Sequence, residues 1–340
     1  MVSKDYKLPL TGLFLLLVVF LSLLNSDAYS GSNEWTKSSN NIPVGSKPNS
    51  IAYGLGNIYV TNSGSNTISV IDGKTNKVVA TIPVGTSPHG VVALDSPVGG
   101  FSTIYVTNSG SNTISVIDGK TNKVVATIPV GSHPNSLYKT SDNRTIYTIN
   151  TISNTISVID GKTNKVVATI PVGTSPHDII GSMLGKLYVT NSGSDNVSVI
   201  DGKTNKVVAT IPVGTSPHRV ALCRSKTYVT NSGSDNVSVI DGKTNKVVAT
   251  IPVSHFPRGI AVADNGFIYT TNSGSDNVSV IDGKTNKVVA TIPSGNLPND
   301  VASDETYSKI YVTNSGSNKV SVINGINNIG SPQNHYCDTK

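Results

Sequence analysis

From residue 41 onward the chain is written in short blocks of β-branched residues. Runs of Asn, Ser, Gly, Asp and Thr separate the blocks, and the whole pattern recurs at a nearly fixed interval. The landmark Ile-Asp-Gly places its Asp at 72, 118, 160, 201, 241 and 282, and Asn324 stands at the seventh position. Successive spacings are 46, 42, 41, 40, 41 and 42 residues. A second landmark, Tyr-Val-Thr-Asn, begins at Tyr59, Tyr105, Tyr188, Tyr228 and Tyr311, with degenerate copies at Tyr147 and Tyr269, so it also counts seven. A period of this length marks an array of supersecondary units, each too small to bury its apolar face alone.

Within one period, such as 88–130, four strands are predicted. They are the apolar run Gly90–Ala93, then Thr103–Thr107, Thr113–Ile117 and Lys123–Val130. The connections Asn-Ser-Gly-Ser-Asn-Thr and Asp-Gly-Lys-Thr-Asn are turn chemistry, because Gly and Asn accept positive φ and Asp and Thr side chains bond nearby N–H groups. Each complete fourth strand carries a proline near its end (Pro83, Pro129, Pro171, Pro212, Pro252, Pro293). Proline cannot donate to a ladder and so belongs on an edge. No helical periodicity appears outside the amino-terminal segment.

Four strands per period of about forty residues suit a propeller blade, with a solenoid as the alternative. The pattern opens at Asn41-Ile42-Pro43-Val44-Gly45, the tail of a fourth strand, and ends on the third strand Val320–Ile323. A solenoid needs caps at both ends, whereas a ring pairs its first strand with its last and loses two exposed edges. The expectation is therefore an all-β, seven-bladed β-propeller with four-stranded antiparallel blades, closed by residues around 40–44 as the outer strand of the last blade. The expected organisation is a signal peptide or amino-terminal anchor at 1–28, a linker at 29–39, the propeller at 40–324 and a tail at 325–340.

Tyr-Val-Thr-Asn followed by Ser-Val-Ile-Asp and Val-Val-Ala-Thr-Ile-Pro-Val-Gly resembles the YVTN family of β-propeller repeats, known from archaeal surface-layer proteins and exported bacterial relatives. The resemblance covers roughly residues 40–324. It implies a seven-bladed propeller at the cell surface or outside the cytoplasm, and it implies no single activity. Related propellers include lactonases and haem-d1 or quinone-dependent domains.

Lys4 and Lys7 precede the apolar run Leu13–Leu24, with Ser26, Ala28 and Ser30 after it. This is a signal-peptide pattern, and an uncleaved anchor through residues 13–24 is the alternative. Either reading predicts export. The formal net charge is +6, carried largely by lysine pairs in a copied turn: Lys74/Lys77, Lys120/Lys123, Lys162/Lys165, Lys203/Lys206, Lys243/Lys246 and Lys284/Lys287. They read as solvated turn charge or as a basic rim for polyanions. No aromatic residues interleave with them, so a nucleic-acid partner is not expected. The two cysteines, Cys223 and Cys337, make no disulfide framework, and spacing does not say whether they pair.

A catalytic site needs different residues at one place, but the turns and outer strands hardly vary between copies. Variation collects in the first strand and the connection after it. The residue following the proline that opens each first strand is Asn49, His89, Asn135, His177, His218, Arg258 or Asn299. If these strands line the channel, the seven side chains ring its mouth. They read either as a hydrated polar rim or as a site for a small anion or an acidic sugar. A metal held by His89, His177 and His218 is a third possibility. Glutamate occurs only at Glu34 and Glu305, and no nucleophile elbow, phosphate loop or cysteine metal motif is found. No enzyme activity and no cofactor are expected, with a lactonase-like hydrolase as the residual alternative. The Asp195, Asp235 and Asp276 turns lack the bidentate Glu of a calcium loop and are expected to bond locally. Glycosylation sequons begin at Asn143, Asn196, Asn236 and Asn277.

The functional expectation is an exported cell-surface structural, adhesion or protein-interaction module. Its partners would be cell-envelope or extracellular proteins and glycans, or further copies of itself. The alternative is a ligand-binding propeller with its site at the channel mouth.

Overall fold

The computed structural model describes residues 36–38, 41–94, 103–140, 142, 144–182, 185–263, 266–304 and 309–324. It opens with two short strands, β1 (Thr36–Lys37) and β2 (Ile42–Pro43). Blade one follows as β3 (Pro48–Gly54), β4 (Asn57–Asn62), β5 (Thr67–Asp72) and β6 (Lys77–Pro83). Blade two is β7 (Pro88–Leu94), β8 (Thr103–Asn108), β9 (Thr113–Asp118) and β10 (Lys123–Pro129). Blade three is β11 (Pro134–Lys139), β12 (Thr145–Asn150), β13 (Thr155–Asp160) and β14 (Lys165–Pro171). Blade four is β15 (Pro176–Gly181), β16 (Lys186–Asn191), β17 (Asn196–Asp201) and β18 (Lys206–Pro212). Blade five is β19 (Pro217–Cys223), β20 (Lys226–Asn231), β21 (Asn236–Asp241) and β22 (Lys246–Pro252). Blade six is β23 (Pro257–Val262), β24 (Phe267–Asn272), β25 (Asn277–Asp282) and β26 (Lys287–Pro293). Blade seven holds β27 (Pro298–Asp304), β28 (Lys309–Asn314) and β29 (Lys319–Asn324).

Blades one to six are antiparallel sheets in chain order, innermost strand first. Blade seven is completed from the other end of the chain. Ile42 and Pro43 pair with Val320 and Lys319, and Thr36 and Lys37 pair with Asn324 and Ile323. The expected closing strand is thus present, split into two segments. The innermost strands touch in a closed cycle, β27 meeting β3.

The core lies between blades. Tyr105, Ile114, Val116 and Ile128 of blade two pack with Leu137, Ile146 and Ile159 of blade three. At the closure, Ile42, Tyr311, Val320 and Val322 pack on Ile51, Ile58, Val60 and Ile71. The repeated motif also supplies the polar joints. Its Tyr reaches the next blade's Asp-Gly-Lys-Thr-Asn turn, as when Tyr105 Oη donates to Asn164 Oδ1 at 2.9 Å and Tyr311 Oη to Asn76 Oδ1 at 2.9 Å. Its Val is fully buried, as at Val60 and Val106. Its Thr hydroxyl donates to a carbonyl of the next innermost strand, as in Thr61 to His89 O at 2.8 Å and Thr313 to Asn49 O at 2.9 Å. Its Asn ties the second strand to the third, Asn62 Nδ2 donating to Ser69 Oγ at 3.0 Å.

The linkers into each innermost strand are equally uniform. The residue before the proline lies at positive φ in every copy: Lys47, Ser87, His133, Ser175, Ser216, Phe256 and Leu297, all between 48° and 57°. Its N–H donates to the Asn or Asp of the preceding blade's Ser-Gly-Ser turn, as in Ser87 to Asn66 Oδ1 at 2.8 Å and Lys47 to Asn318 Oδ1 at 2.9 Å. Asp195, Asp235 and Asp276 do the same for Ser216, Phe256 and Leu297. The expected local bonding of these aspartates is therefore a joint between connections. The Gly of Asp-Gly is set by close approach, since a Cβ on Gly202 would lie 2.8 Å from Gly185 O.

The outer strand of each of blades one to six has a register shift that leaves its second valine unpaired, as at Val125, which is 61% exposed. A bulge of this kind disrupts an open edge as a template for pairing.

Two outcomes follow. Deleting residues 29–45 removes β1 and β2, strips buried Ile42 from the core and bares the β29 edge. The loss expected is about 3 kcal/mol or more, and an unchanged Tm would refute closure. Thr107→Val removes the hydroxyl that accepts from Gly90 N at 2.7 Å and donates to Asn135 O at 2.6 Å. Chemical denaturation should register a loss of about 1–3 kcal/mol from the stranded buried partners.

Candidate functional site

The ring at the channel mouth forms as the sequence places it. Each member follows the buried proline that opens an innermost strand, on the face carrying the linkers and the Ser-Gly-Ser turns. The copied lysine turns lie on the opposite face, beside the first-to-second-strand connections. Asn135 and Asn299 are buried, Asn49, His89, His177 and His218 are partly buried, and Arg258 is exposed.

The ring divides into two arcs. Across blades six, seven and one, Arg258 Nη1 donates to Asn299 Oδ1 at 2.9 Å, and Asn299 Nδ2 donates to Asn49 Oδ1 at 2.8 Å. The second arc is imidazole. His177 and His218 lie with ring centroids 3.7 Å apart and planes tilted by 36°, and His89 meets His177 edge-on at 6.3 Å. The described residues include no group of three His, Cys, Asp or Glu placed to hold a metal ion. The Nδ1 atoms of His89, His177 and His218 and the Oδ1 of Asn135 are buried without a hydrogen-bond partner.

Beneath this ring lies a second one, Ser50, Gly90, Ser136, Asp178, Arg219, Gly259 and Asp300, one residue further along each strand. Arg219 reaches Asp178 Oδ1 at 3.4 Å and Asp300 Oδ2 at 3.3 Å, so a buried Asp–Arg–Asp bar joins blades four, five and seven. Both carboxylates also hold a neighbouring blade. Asp178 accepts from Val220 N at 2.9 Å and from the Ser136 hydroxyl, and Asp300 accepts from Ser50 Oγ at 2.8 Å and Ile51 N at 3.3 Å. Arg219 Nε is buried and unpartnered. Below the bar is a cavity of about 210 Å³ lined by these groups and by Ile51, Leu137, Tyr138, Ile179 and Val220. The sequence signal for the bar was present, since three charges stand where the other copies have Ser or Gly.

Burial is the main influence on charge here. It lowers the His89 pKa to about 3, helped by the positive charges of Arg219, His133 and Arg258. Burial and the same arginines hold His177 and His218 well below the ordinary imidazole value. Burial raises Asp300 despite its Arg219 partner. Burial also opposes the Arg219 charge, but Asp300 and Asp178 outweigh it and the guanidinium is held more firmly. At neutral pH the mouth thus presents neutral imidazoles beside one accessible guanidinium.

The remaining candidates lie elsewhere. Asn196 and Asn236 begin β17 and β21, accept from Asn191 and Asn231 Nδ2 and donate to Ser194 and Ser234 carbonyls at 2.8 Å. Asn277 accepts from Asn272 Nδ2 at 2.7 Å. Asn143, Cys337, Glu34, Glu305 and the 13–24 segment lie outside the described residues. Cys223, at the end of β19, is buried and disulfide-bonded.

A closed ring of seven four-stranded sheets with a polar channel mouth defines the class as a seven-bladed propeller with a funnel-side candidate site. Segments 96–191 and 171–308 match the YNCE-like beta-propeller family, and the chain belongs to that family. It is 60% identical over 45 residues to the PE-PGRS family protein PE_PGRS18 of Mycobacterium tuberculosis, a match covering 13% of this chain and 9% of that protein. The chain therefore matches about a tenth of that relative's length. Among solved structures it is similar to Kuenenia stuttgartiensis hydrazine synthase, with a TM-score of 0.73, 21% identity, and coverage of 86% of this chain and 98% of that one. That likeness concerns the fold alone.

The depressed imidazoles set a pH dependence. The folded state opposes their protonation, so their contribution is complete above the ordinary value near ~6.5 and is lost as pH falls below it. The slope reaches about 1.4 kcal/mol per pH unit for each linked histidine. Asp300, with its raised pKa, has the opposite sign and gains relative stability on acidification. Denaturation between pH 7.5 and 5 should show stability falling with pH, and the variant His89→Asn/His177→Asn/His218→Asn should show a flatter profile. Parallel profiles would refute the assignment.

Proposed function

We propose that this protein is an exported, non-enzymatic binding module whose site is the channel mouth, and that its ligand is a small acidic sugar. The observation that carries the reading is the set of unpartnered buried polar atoms around one mouth: three imidazole Nδ1 atoms, Asn135 Oδ1 and Arg219 Nε. Buried polar groups are ordinarily satisfied, and atoms left open around one concavity are what a bound ligand completes. Neutral imidazoles and amides can both donate and accept, which suits hydroxyl groups. Arg258, the exposed guanidinium of the ring, suits one carboxylate. Export is supported by the lysine-flanked apolar run Leu13–Leu24.

The repeated surface favours a second, compatible role at the cell envelope. The lysine turns and the exposed outer-strand valines, such as Val79 and Val167, are presented by six blades alike. Identical contacts at fixed spacing gain avidity from multivalency, which supports adhesion to envelope partners or self-assembly.

Isothermal titration with glucuronate, galacturonate and neutral glucose tests the site. The uronates should bind and glucose should bind more weakly. Arg258→Gln should weaken uronate binding by about tenfold or more, as expected for loss of a charged hydrogen bond, and His177→Ala/His218→Ala should abolish it. Failure of both uronates to bind would refute the reading, and turnover of a lactone panel with added divalent metals would replace it with an enzymatic one.

A further inference from the structure

Cys223 breaks the repeat. It ends the innermost strand β19, and the same register holds Gly54, Leu94, Thr140, Ser182, Ala263 and Asp304 in the other blades. A cysteine at this position is therefore not a product of copying. Its side chain is buried and its sulfur is disulfide-bonded. The sequence holds one further cysteine, Cys337, which lies outside the described residues. Cys223 pairs with Lys226, and Lys226 with Asp241 at the start of a copied lysine turn, so the cysteine stands on the lysine-turn face at the inner edge of its blade. The chain leaves blade seven on that same face. Asn324 ends β29 opposite Lys309, in the register that Asp241 occupies in blade five.

We infer that Cys223 is bonded to Cys337 of the same chain, and that this bond is a clasp holding the carboxyl-terminal end of the propeller to blade five. Reach permits it. The stretch from Asn324 to Cys337 can extend to about 45 Å. The path from β29 inward across blade seven, then along the touching innermost strands β27, β23 and β19, is shorter, about 30 Å. A tethered thiol within reach also has a high effective concentration that a second copy lacks. The bond forms by exchange with a disulfide oxidant. One cysteine thiolate attacks the oxidant and releases a thiol. The other thiolate attacks the resulting mixed disulfide, forms the Sγ–Sγ bond and releases the second thiol. The pair thus loses two electrons and two protons, and the oxidant leaves as two thiols. Such bonds persist in oxidising compartments, in keeping with the lysine-flanked apolar run Leu13–Leu24. The clasp has a clear place in the fold. Both β1 and β2 pair with β29, so the seam of the ring rests on the strand that the tail follows. A bond from that tail to β19 closes a loop around blades six and seven and restricts the unfolded chain. It lies on the face opposite the candidate mouth and does not depend on the reading of that mouth.

The test is non-reducing tryptic mapping of the full chain, exported by its host and alkylated with iodoacetamide before digestion. Cleavage after Arg219, Arg224 and Lys319 should release residues 220–224 joined to residues 320–340, and reduction should separate the two peptides. The undigested protein should run as a monomer on a non-reducing gel. Adding a reductant should lower the wild-type Tm by about 5 °C or more. Cys337→Ser, which leaves the buried Cys223 in place, should begin at the lower Tm and no longer respond to the reductant. Alkylation of both cysteines without prior reduction would overturn the clasp. So would residues 220–224 joined to their own copy in a dimer, or a wild-type Tm that reductant leaves unchanged.

Discussion

The joint between neighbouring blades is the constraint on which this molecule rests. Within a blade, sheet hydrogen bonds satisfy the backbone, but blades meet face to face and leave the innermost strand with carbonyls that no ladder reaches. The motif threonine answers this by carrying its hydroxyl across to the next innermost strand, as Thr61 does to His89 O and Thr190 to His218 O. Where blade three has Ile149 in place of that threonine, Thr151 Oγ1 bonds Pro176 O instead. The requirement is therefore for a bridging hydroxyl, and the sequence meets it from another position. Together with the tyrosine and the turn asparagine, this makes the motif a set of inter-blade fasteners.

The fold was legible because the same physical demand is stated seven times. Period, turn chemistry and edge prolines agree with one another, and agreement across levels is what makes a sequence readable. Ring closure was legible for the same reason, since Asn41–Gly45 and Val320–Ile323 are recognisable copies of a fourth and a third strand, whereas the further pairing of Thr36–Lys37 with the last strand falls in the expected linker and copies no other repeat. The site was less legible because it is built from departures. His89, His177, His218 and Arg258 stand out by position, and so do the charges Asp178, Arg219 and Asp300, but which of these pair across the channel is not written in any one repeat. The aspartates of the Ser-Asp-Asn turns read locally as turn formers, and only the spatial neighbour, a linker N–H from the following connection, shows their actual partner.

These departures divide the molecule. What is copied fastens blades or faces solvent, and what differs gathers in the innermost strands and the connections that follow them. A rigid frame with conserved joints lets a few channel residues change without disturbing packing, since the side chains at the mouth project from strands whose backbone is already held. Buried charge is the exception. The Asp–Arg–Asp bar serves the frame and the site together: its carboxylates hold backbone N–H groups of following blades, while its guanidinium floors the mouth. Such a bar is costly to break, because removing one member leaves the others charged and buried.

The bar has a bearing on how such a chain can change over time. Near-identical tandem units are open to gain or loss of a whole unit in frame, and every fastener described above would fit one blade more or fewer equally well. Arg219 would not. It touches partners in the adjacent blade four and in blade seven, two blades away, and both contacts hold only at one channel diameter. A single buried guanidinium is thus matched to a ring of seven blades in a way that the repeated fasteners are not.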